Sequence, residues 1–536
     1  MPDALSPSHS ADTPGAAKPH AKTRLRGALG LVEWLGNALP HPVTLFALMT
    51  VTVITLSSIS AWFGVSAADP RPANAGDVMT VTNLLTGTEL VRWASTVTMN
   101  FTSYAPLGTV LVALLGISIA EHSGLLSTAL RALVVAAPRR CITMAIVFAA
   151  VISNVASDLG YVVVLPLAAM LFATMGRHPL AGLSAAFAGV SGGYGANLLL
   201  STSDPLLGGI TQGAAQLLAP EYSVSAVANW YFMAASSLLV TLAATWVTER
   251  IIEPRLGTWH PQDGDAQALS PDAHTHRPIA PAERRALWAA LGCMLACGVA
   301  LFSMAWPDSS PLRDAAGEYG SRAPLFGSVV AFIVIFFALP GLLYGVMTGA
   351  YRNDRDVIAA MSKTLGSLGQ YLVLVFFASQ FVALFGRSGL GTILAIKGAG
   401  WLSGVADNGP LLFIGLIVLC ATVNLMISSG MAQWALMAPI IVPMMMLLGY
   451  APEVVQAAYR IGDSVSNIVT PMLSYFALIL AVATRYQRDA GVGTLLALML
   501  PYAIVFTIAW TAFFCLWVFG LELPVGPNAQ LRYTAH

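Results

Sequence analysis

Apolar stretches of about twenty residues recur along this chain, and no other property restricts its fold as tightly. The clear runs are 42–64, 105–136, 142–175, 226–247, 287–306, 325–347, 365–385, 411–427 and 495–521. A helix of about 20 apolar residues crosses the roughly 30 Å hydrocarbon layer of a bilayer. The runs are continuous, with no alternation of apolar and polar positions, which selects membrane helices over a β-barrel. Composition agrees: 57% of the 536 residues are hydrophobic and 10% charged. A soluble domain carries about 25% charged residues. The expected class is an all-α polytopic membrane protein whose first partner is the lipid bilayer.

Charge places the loops. Basic residues cluster in the N-terminal tail, at Arg139-Arg140, in 249–285, in 352–363 and at Arg485 and Arg488, whereas 67–92 and 307–322 are mixed or acidic. The basic set is expected on the cytoplasmic side of a bacterial inner membrane. That puts the N-terminus in the cytoplasm and the C-terminus in the periplasm. Residues 1–40 read as a disordered tail, because no apolar segment with a cleavage site precedes the first span. The polar, Pro- and His-rich stretch 251–285 reads as a cytoplasmic linker between membrane halves 41–250 and 286–522, and 523–536 as a C-terminal tail. Net charge is zero, which argues against a nucleic-acid partner. The five cysteines lie in or beside apolar runs and read as small core residues.

The two halves are related. Asn154-Val-Ala-Ser-Asp-Leu-Gly160 resembles Asn424-Leu-Met-Ile-Ser-Ser-Gly430 at an offset of 270 residues. After a three-residue insertion Pro166 matches Pro439, Gly176-Arg-His-Pro179 matches Gly449-Tyr-Ala-Pro452, and Gly189 matches Gly462. Asn197 then matches Asn467, and Pro205 loosely matches Pro471. Each copy has an apolar segment broken at an Asn/Ser/Gly cluster, resumed through a proline and followed by a second broken helix. Unsatisfied backbone groups cost several kcal/mol each in lipid. Such breaks persist only where protein buries them or where they line a wet cavity. Paired interruptions in two halves are the sequence signature of a transporter's binding site, and inverted copies would bring two hairpins together near the midplane.

Four ionisable side chains stand inside these broken regions, where an isolated charge costs about 2.5–3.5 kcal/mol. Asp158 reads either as a cation or proton site, with Asn154 and Ser157 as oxygen donors, or as a helix cap. Asp204, in Ser201-Thr-Ser-Asp-Pro205, reads as a proton, cation or substrate site or as an Asp-Pro cap. Arg460 and Asp463 share a helix face. They form either a mutual ion pair or a site in which Arg460 forks onto a substrate carboxylate. Trp434 follows the second break, where an indole is placed to stack on an aromatic ring. Ser428, Ser429, Asn424, Asn467 and Thr470 add neutral donors. Phosphate-binding, zinc-protease and C-x-x-C signatures do not occur in the sequence, so neither an enzyme nor an ATP-driven pump is expected. No cofactor is expected beyond a coupling cation, Na+ or H+.

From about 31 to 527 the chain resembles the p-aminobenzoyl-glutamate transporter (AbgT) family. The likeness is carried by Val32-Glu-Trp-Leu-Gly-Asn-Ala-Leu-Pro-His-Pro42, Gly176-Arg-His-Pro-Leu-Ala-Gly182, the segment 197–210 with its Ser-Asp-Pro, Asn229-Trp-Tyr-Phe-Met233, Ile252-Glu-Pro-Arg-Leu-Gly257 and Tyr459-Arg-Ile-Gly-Asp-Ser464. The resemblance implies a homodimer with about nine transmembrane helices and two re-entrant helical hairpins per subunit, arranged as two inverted repeats. It also implies cation-coupled transport of p-aminobenzoyl-glutamate, or efflux of sulfonamide antimetabolites. Through it Asp204, Trp434, Pro452, Arg460 and Asp463 become substrate-binding candidates beside Ser428 and Ser429. Met431 stands where the family usually has a small hydroxyl residue. The rival readings are a carrier of dicarboxylates or short-chain fatty acids, an intramembrane amide hydrolase and a passive channel.

Overall fold

The computed structural model describes residues 42–68, 78–156, 159–260, 279–314, 317–319, 323–406, 408–427, 429–470 and 473–534. Apart from a two-stranded antiparallel hairpin, β1 (Ser66–Ala68) and β2 (Val78–Thr80), the described chain is helical. Among these residues eight helices are long and apolar enough to cross a membrane, or nine when one bent pair counts as a span.

Helices α1 (Pro42–Trp62), α2 (Gly87–Thr102), α3 (Ala105–His122) and α4 (Leu125–Val135) precede the first break. The run 105–136, expected as one span, is two helices. The chain turns at Gly124, whose φ of +85° suits a residue without Cβ. The run 142–175 is likewise not a single crossing. Helix α5 (Ile142–Ile152) ends in a 3-10 turn, Ser153–Ala156. The chain resumes through a π turn, Gly160–Val164, into α6 (Leu165–Thr174). The segment Arg139–Val155 meets Leu125–Val135 at 111°. Next come α7 (Pro179–Phe187), α8 (Ser203–Ala215), α9 (Trp230–Val247), α10 (Pro281–Ala305) and α11 (Val329–Thr348). The expected span 365–385 is interrupted at Leu368, between the amphipathic α12 (Asp354–Ser367) and α13 (Gly369–Ser388). Asn353 and Asp356 cap α12 reciprocally. Then follow α14 (Leu390–Ala406), α15 (Gly409–Asn424), α16 (Gly430–Leu447), α17 (Pro452–Asn467), α18 (Phe476–Tyr486) and α19 (Val492–Cys515).

The repeat seen in the sequence is a repeat of contacts. A Cβ added to Gly189 would lie 2.6 Å from Ala150 Cβ and 2.9 Å from the Val147 carbonyl. One added to Gly462 would lie 2.6 Å from Cys420 Cβ and from the Ile417 carbonyl. Val147 and Ala150 correspond to Ile417 and Cys420 at the repeat offset, so each glycine lets its helix settle on the same two positions of its own hairpin. The turns match as well: Gly176 and Gly449 have φ of +72° and +86°, and Pro179 and Pro452 each open the helix that follows.

The copies are inverted, as hydrogen bonds at the two ends of α9 show. Beyond its C-terminal end, Glu253 accepts both forks of Arg177, each at 2.6 Å, which places the Gly176 turn at that end. At its N-terminal end the Phe232 amide donates to Val525, and the Ala451 and Tyr533 amides bond Leu531 and Gly449, which places the Gly449 turn there. The hairpins therefore enter from opposite faces. Outside them α3 packs on α11, and α1 on α13. Gly116 and Gly341 let α3 and α11 touch backbone to backbone, which suits association in lipid, where no hydrophobic effect drives helices together.

Candidate functional site

The tips of both hairpins border one cavity of about 690 Å³. Asn154 and Tyr161 reach it from the first break, and Ser429, Gly430 and Met431 from the second. Asn467 ends α17 there, and Tyr194, Thr202 and Ser203 lie along the unwound stretch before and into α8. Glu121, His122 and Lys363 stand at the side where α3 and α12 end.

Behind this wall lies a compact polar cluster. Arg460, on α17, pairs with Asp204, on α8, at 2.8 Å, with side chains 3% and 1% exposed. Helical spacing offers Asp463 as one of two expected partners, the other being a substrate carboxylate. The guanidinium instead points across to α8. Asp204 sits in the first turn of its helix, where its Oδ2 accepts the Ser201 amide at 2.6 Å and the Ser201 hydroxyl at 3.0 Å. Asp463 approaches the first turn of α16: a Cβ on Gly430 would lie 2.9 Å from its Oδ1. Each carboxylate thus faces a helix N-terminus, whose free amides and dipole favour negative charge.

Hydrogen bonding in the cluster is incomplete. Arg460 Nε and Nη1, Asp463 Oδ1, Asn197 Oδ1 and Asn424 Oδ1 are buried without a hydrogen-bond partner, and Asp204 Oδ1 has the ion pair but no aligned bond. Buried polar atoms are nearly always paired, so unpaired ones gathered at one place call for an explanation and make this cluster the candidate site. The amide of Asn424 donates to the Asp463 carbonyl (2.9 Å), Ser466 Oγ (2.9 Å) and Asn467 Oδ1 (2.8 Å), which ties hairpin 2 to α17. In the first half Asn197 Nδ2 reaches Ser201 Oγ at 3.1 Å. Asn154 donates to the Val151 carbonyl at 3.1 Å.

The remaining predicted residues lie farther out. Trp434 does not border the cavity. Its ring is fully buried, stacked on Tyr459 at 4.3 Å, and its Nε1 donates to Thr211 at 2.9 Å. Pro452 opens α17 eight residues before Arg460, about 12 Å along a helix. Thr470 is buried just past the end of α17. Ser157, Asp158 and Ser428 lie outside the described residues. Among those described, no group of three or more His, Cys, Asp and Glu side chains is placed to hold a metal ion.

Tyrosines were missed by sequence reasoning. Tyr161 and Tyr475 stack at 4.3 Å with rings 10° apart on the cavity wall, and Tyr161 bonds the Ser191 hydroxyl at 2.6 Å. The repeat contained the signal for one of them. Tyr161 follows Gly160 as Met431 follows Gly430, so both occupy one repeat position, and both line the cavity.

Comparison with known proteins gives concordant matches. Residues 27–533 match the family described as "AbgT putative transporter family". The p-aminobenzoyl-glutamate transport protein of Escherichia coli (strain K12) is 35% identical over 506 residues, which are 94% of this chain and 97% of that protein. Among solved structures, MtrF of Neisseria gonorrhoeae, described as illuminating a class of antimetabolite efflux pumps, superimposes with a TM-score of 0.88. It is 50% identical, and the match covers 94% of this chain and 99% of MtrF. The YdaH transporter of Alcanivorax borkumensis superimposes at 0.84 with 38% identity, over 91% of this chain and all of that one.

Proposed function

Since the chain belongs to the AbgT transporter family, we propose that it is a cation-coupled carrier of p-aminobenzoyl-glutamate or of related aromatic antimetabolites such as sulfonamides, moved out of the cell. Outward movement draws support from the extent of the likeness to MtrF. The observation that carries the reading is the Arg460–Asp204 pair, buried beside the cavity with two guanidinium nitrogens unbonded. The two unbonded donors, Nε and Nη1, lie on different edges of the guanidinium, each shared with the Nη2 that holds Asp204, so a carboxylate or sulfonyl group gains a paired-donor edge as Asp204 gives way. A substrate anion exchanges for Asp204 as the partner of Arg460 and leaves Asp204 free to take a proton or Na+. Asp463 holds the arginine's electrostatic surroundings from the other side. Tyr161 and Tyr475 offer an aromatic wall to the substrate ring.

The protein is expected as a homodimer in the inner membrane, N-terminus inside, with the Glu121–His122–Lys363 side of the cavity toward the cytoplasm. The test uses proteoliposomes loaded with labelled p-aminobenzoyl-glutamate, or with a sulfonamide, under imposed pH or Na+ gradients of either sign. Gradient-dependent movement of solute supports the reading. Flux that never exceeds equilibration, whichever gradient is imposed, overturns it.

A further inference from the structure

A second cavity, of about 450 Å³, approaches the same ion pair from the opposite side. Helix α8 is the partition. Ser203 and Leu206 border the first cavity, while Pro205, Gly209 and Gln212, on the other helical face, border the second. Helix α17 spans the two lengthwise: Glu453 lies at the second cavity and Asn467 at the first, about 21 Å apart along a helix. Arg460 is midway between them.

Glu453 is 5% exposed. Its Oε2 accepts the Tyr222 hydroxyl at 2.9 Å, and no basic group among the described residues lies within 4.0 Å of its carboxylate. The titratable or charged groups nearby are few. Tyr222 comes from the loop after α8. Tyr533, in ring contact with Tyr222 at 6.0 Å, and Arg532, over the Tyr450 ring at 4.6 Å, come from the C-terminal segment. Glu221 points to solvent, and on its own helix the nearest charge is Arg460. Burying a carboxylate without a counter-ion is costly, and taking up a proton removes that cost. The Tyr222 hydroxyl and the backbone amide of Glu453 itself make no cation cage, which needs several oxygens around the ion.

A chain of polar contacts leads inward from Glu453. Asn229 Nδ2 donates to the main-chain carbonyl of Glu453 at 2.8 Å, and the Gln456 amide lies 2.7 Å from Asn229 Oδ1. Thr211 Oγ1 donates to the Leu207 carbonyl at 2.8 Å, lies 2.6 Å from the Gln456 amide and accepts from Trp434. Turned about its amide, Gln456 brings its oxygen within 3.3 Å of Arg460 Nη2. One glutamine amide therefore lies between the helix end that carries Glu453 and the arginine that pairs with Asp204.

We propose that Glu453 is a proton-binding site reached through the second cavity, from the membrane face opposite the one that admits substrate. The proposal rests on the transport reading above and gives its coupling ion as the proton. A proton arriving from the second cavity leaves the Glu453 carboxylate neutral; its release toward the opposite membrane face, once the carrier has turned, restores the negative charge and carries one proton across. Glu453 and Arg460 stand about two turns apart on α17, so a change of charge at the carboxylate alters the field at the guanidinium.

The test separates coupling from carriage. In proteoliposomes, Glu453→Gln is expected to lose at least tenfold in pH-gradient-driven accumulation while exchange of labelled for unlabelled substrate stays within about twofold of wild type. Tyr222→Phe, which removes only a hydroxyl from a loop, should move the pH midpoint of driven transport. If E453Q folds poorly, wild-type protein is treated with a hydrophobic carbodiimide, which modifies protonated buried carboxyls, and mass spectrometry should find the adduct on Glu453. Driven accumulation by E453Q at the wild-type rate with the same pH dependence overturns the proposal, as does wild-type accumulation driven by Na+ alone at equal pH. Absence of any solute movement by wild type sinks the transport reading itself, a result distinct from both.

Discussion

Arg460 Nη2 stands 2.8 Å from Asp204 Oδ1, although Asp463 is only one helical turn from Arg460 on α17. The pair fastens the two broken helices, α8 and α17, to each other inside the molecule. Removing one partner strands a buried charge, which costs about 3–5 kcal/mol. Asp204→Asn and Arg460→Gln should each lower the unfolding temperature of the detergent-solubilised protein. The double variant should recover at least about 1 kcal/mol of the summed loss, within the usual range for contacting residues. Strictly additive losses in this cycle would mean that the two side chains do not interact.

Gly189→Ala and Gly462→Ala should destabilise by similar amounts, about 1–3 kcal/mol each, because each added methyl drives into a neighbouring helix. Gly176→Ala is the control. Nothing lies within 4 Å of its Cβ position, and its φ of +72° gives only the left-handed backbone penalty, about 1–2 kcal/mol. Thermal unfolding of the three variants ranks them, and an undisturbed Gly462→Ala would refute the close packing of α17 on α15.

Trp434 acts on position more than on contact with solute. Trp434→Phe keeps an aromatic face for Tyr459 but loses the bond to Thr211, at about 0.5–1.5 kcal/mol. Trp434→Ala also opens a cavity, at about 3–5 kcal/mol. The expectation for W434F is a lower unfolding temperature with substrate affinity within about threefold of wild type. A loss of affinity beyond tenfold at unchanged stability would place the indole against the substrate.

Met431 lines the first cavity at the position that corresponds to Tyr161. Met431→Ser puts a hydroxyl there at the cost of about 1 kcal/mol of apolar burial for a half-buried side chain. One new hydrogen bond is worth about 1 kcal/mol, or roughly fivefold in affinity. Competition assays should show a several-fold change in ranking between p-aminobenzoyl-glutamate and sulfonamides. An unchanged ranking would exclude contact between this position and the substrate.

Much of this architecture was legible because lipid penalises what it cannot solvate. Breaks at Asn154 and Asn424, and charges at Asp204, Arg460 and Asp463, stand out in apolar sequence on cost alone. Gly176, Gly189, Gly449 and Gly462 recurred at fixed spacing because each is held by geometry, either a left-handed turn or a helix contact. What escaped was tertiary. Spacing along α17 makes Asp463 the nearest acid to Arg460, but the choice of Asp204 depends on how α8 lies across it. The bend at Gly124 was hidden because apolar residues continue on both sides. Trp434 was read by its distance from the break, whereas the turn of α16 directs its ring to Tyr459.

Equal glycine seats in two oppositely inserted copies carry an energetic consequence. If each copy took up the other's present shape, the matched glycine contacts would be regained with the entrances exchanged. The difference in free energy between the two orientations then arises where the copies diverge, as at Tyr161 against Met431. Substitutions there bias which orientation predominates at rest, whereas substitutions at the matched glycines weaken both alike.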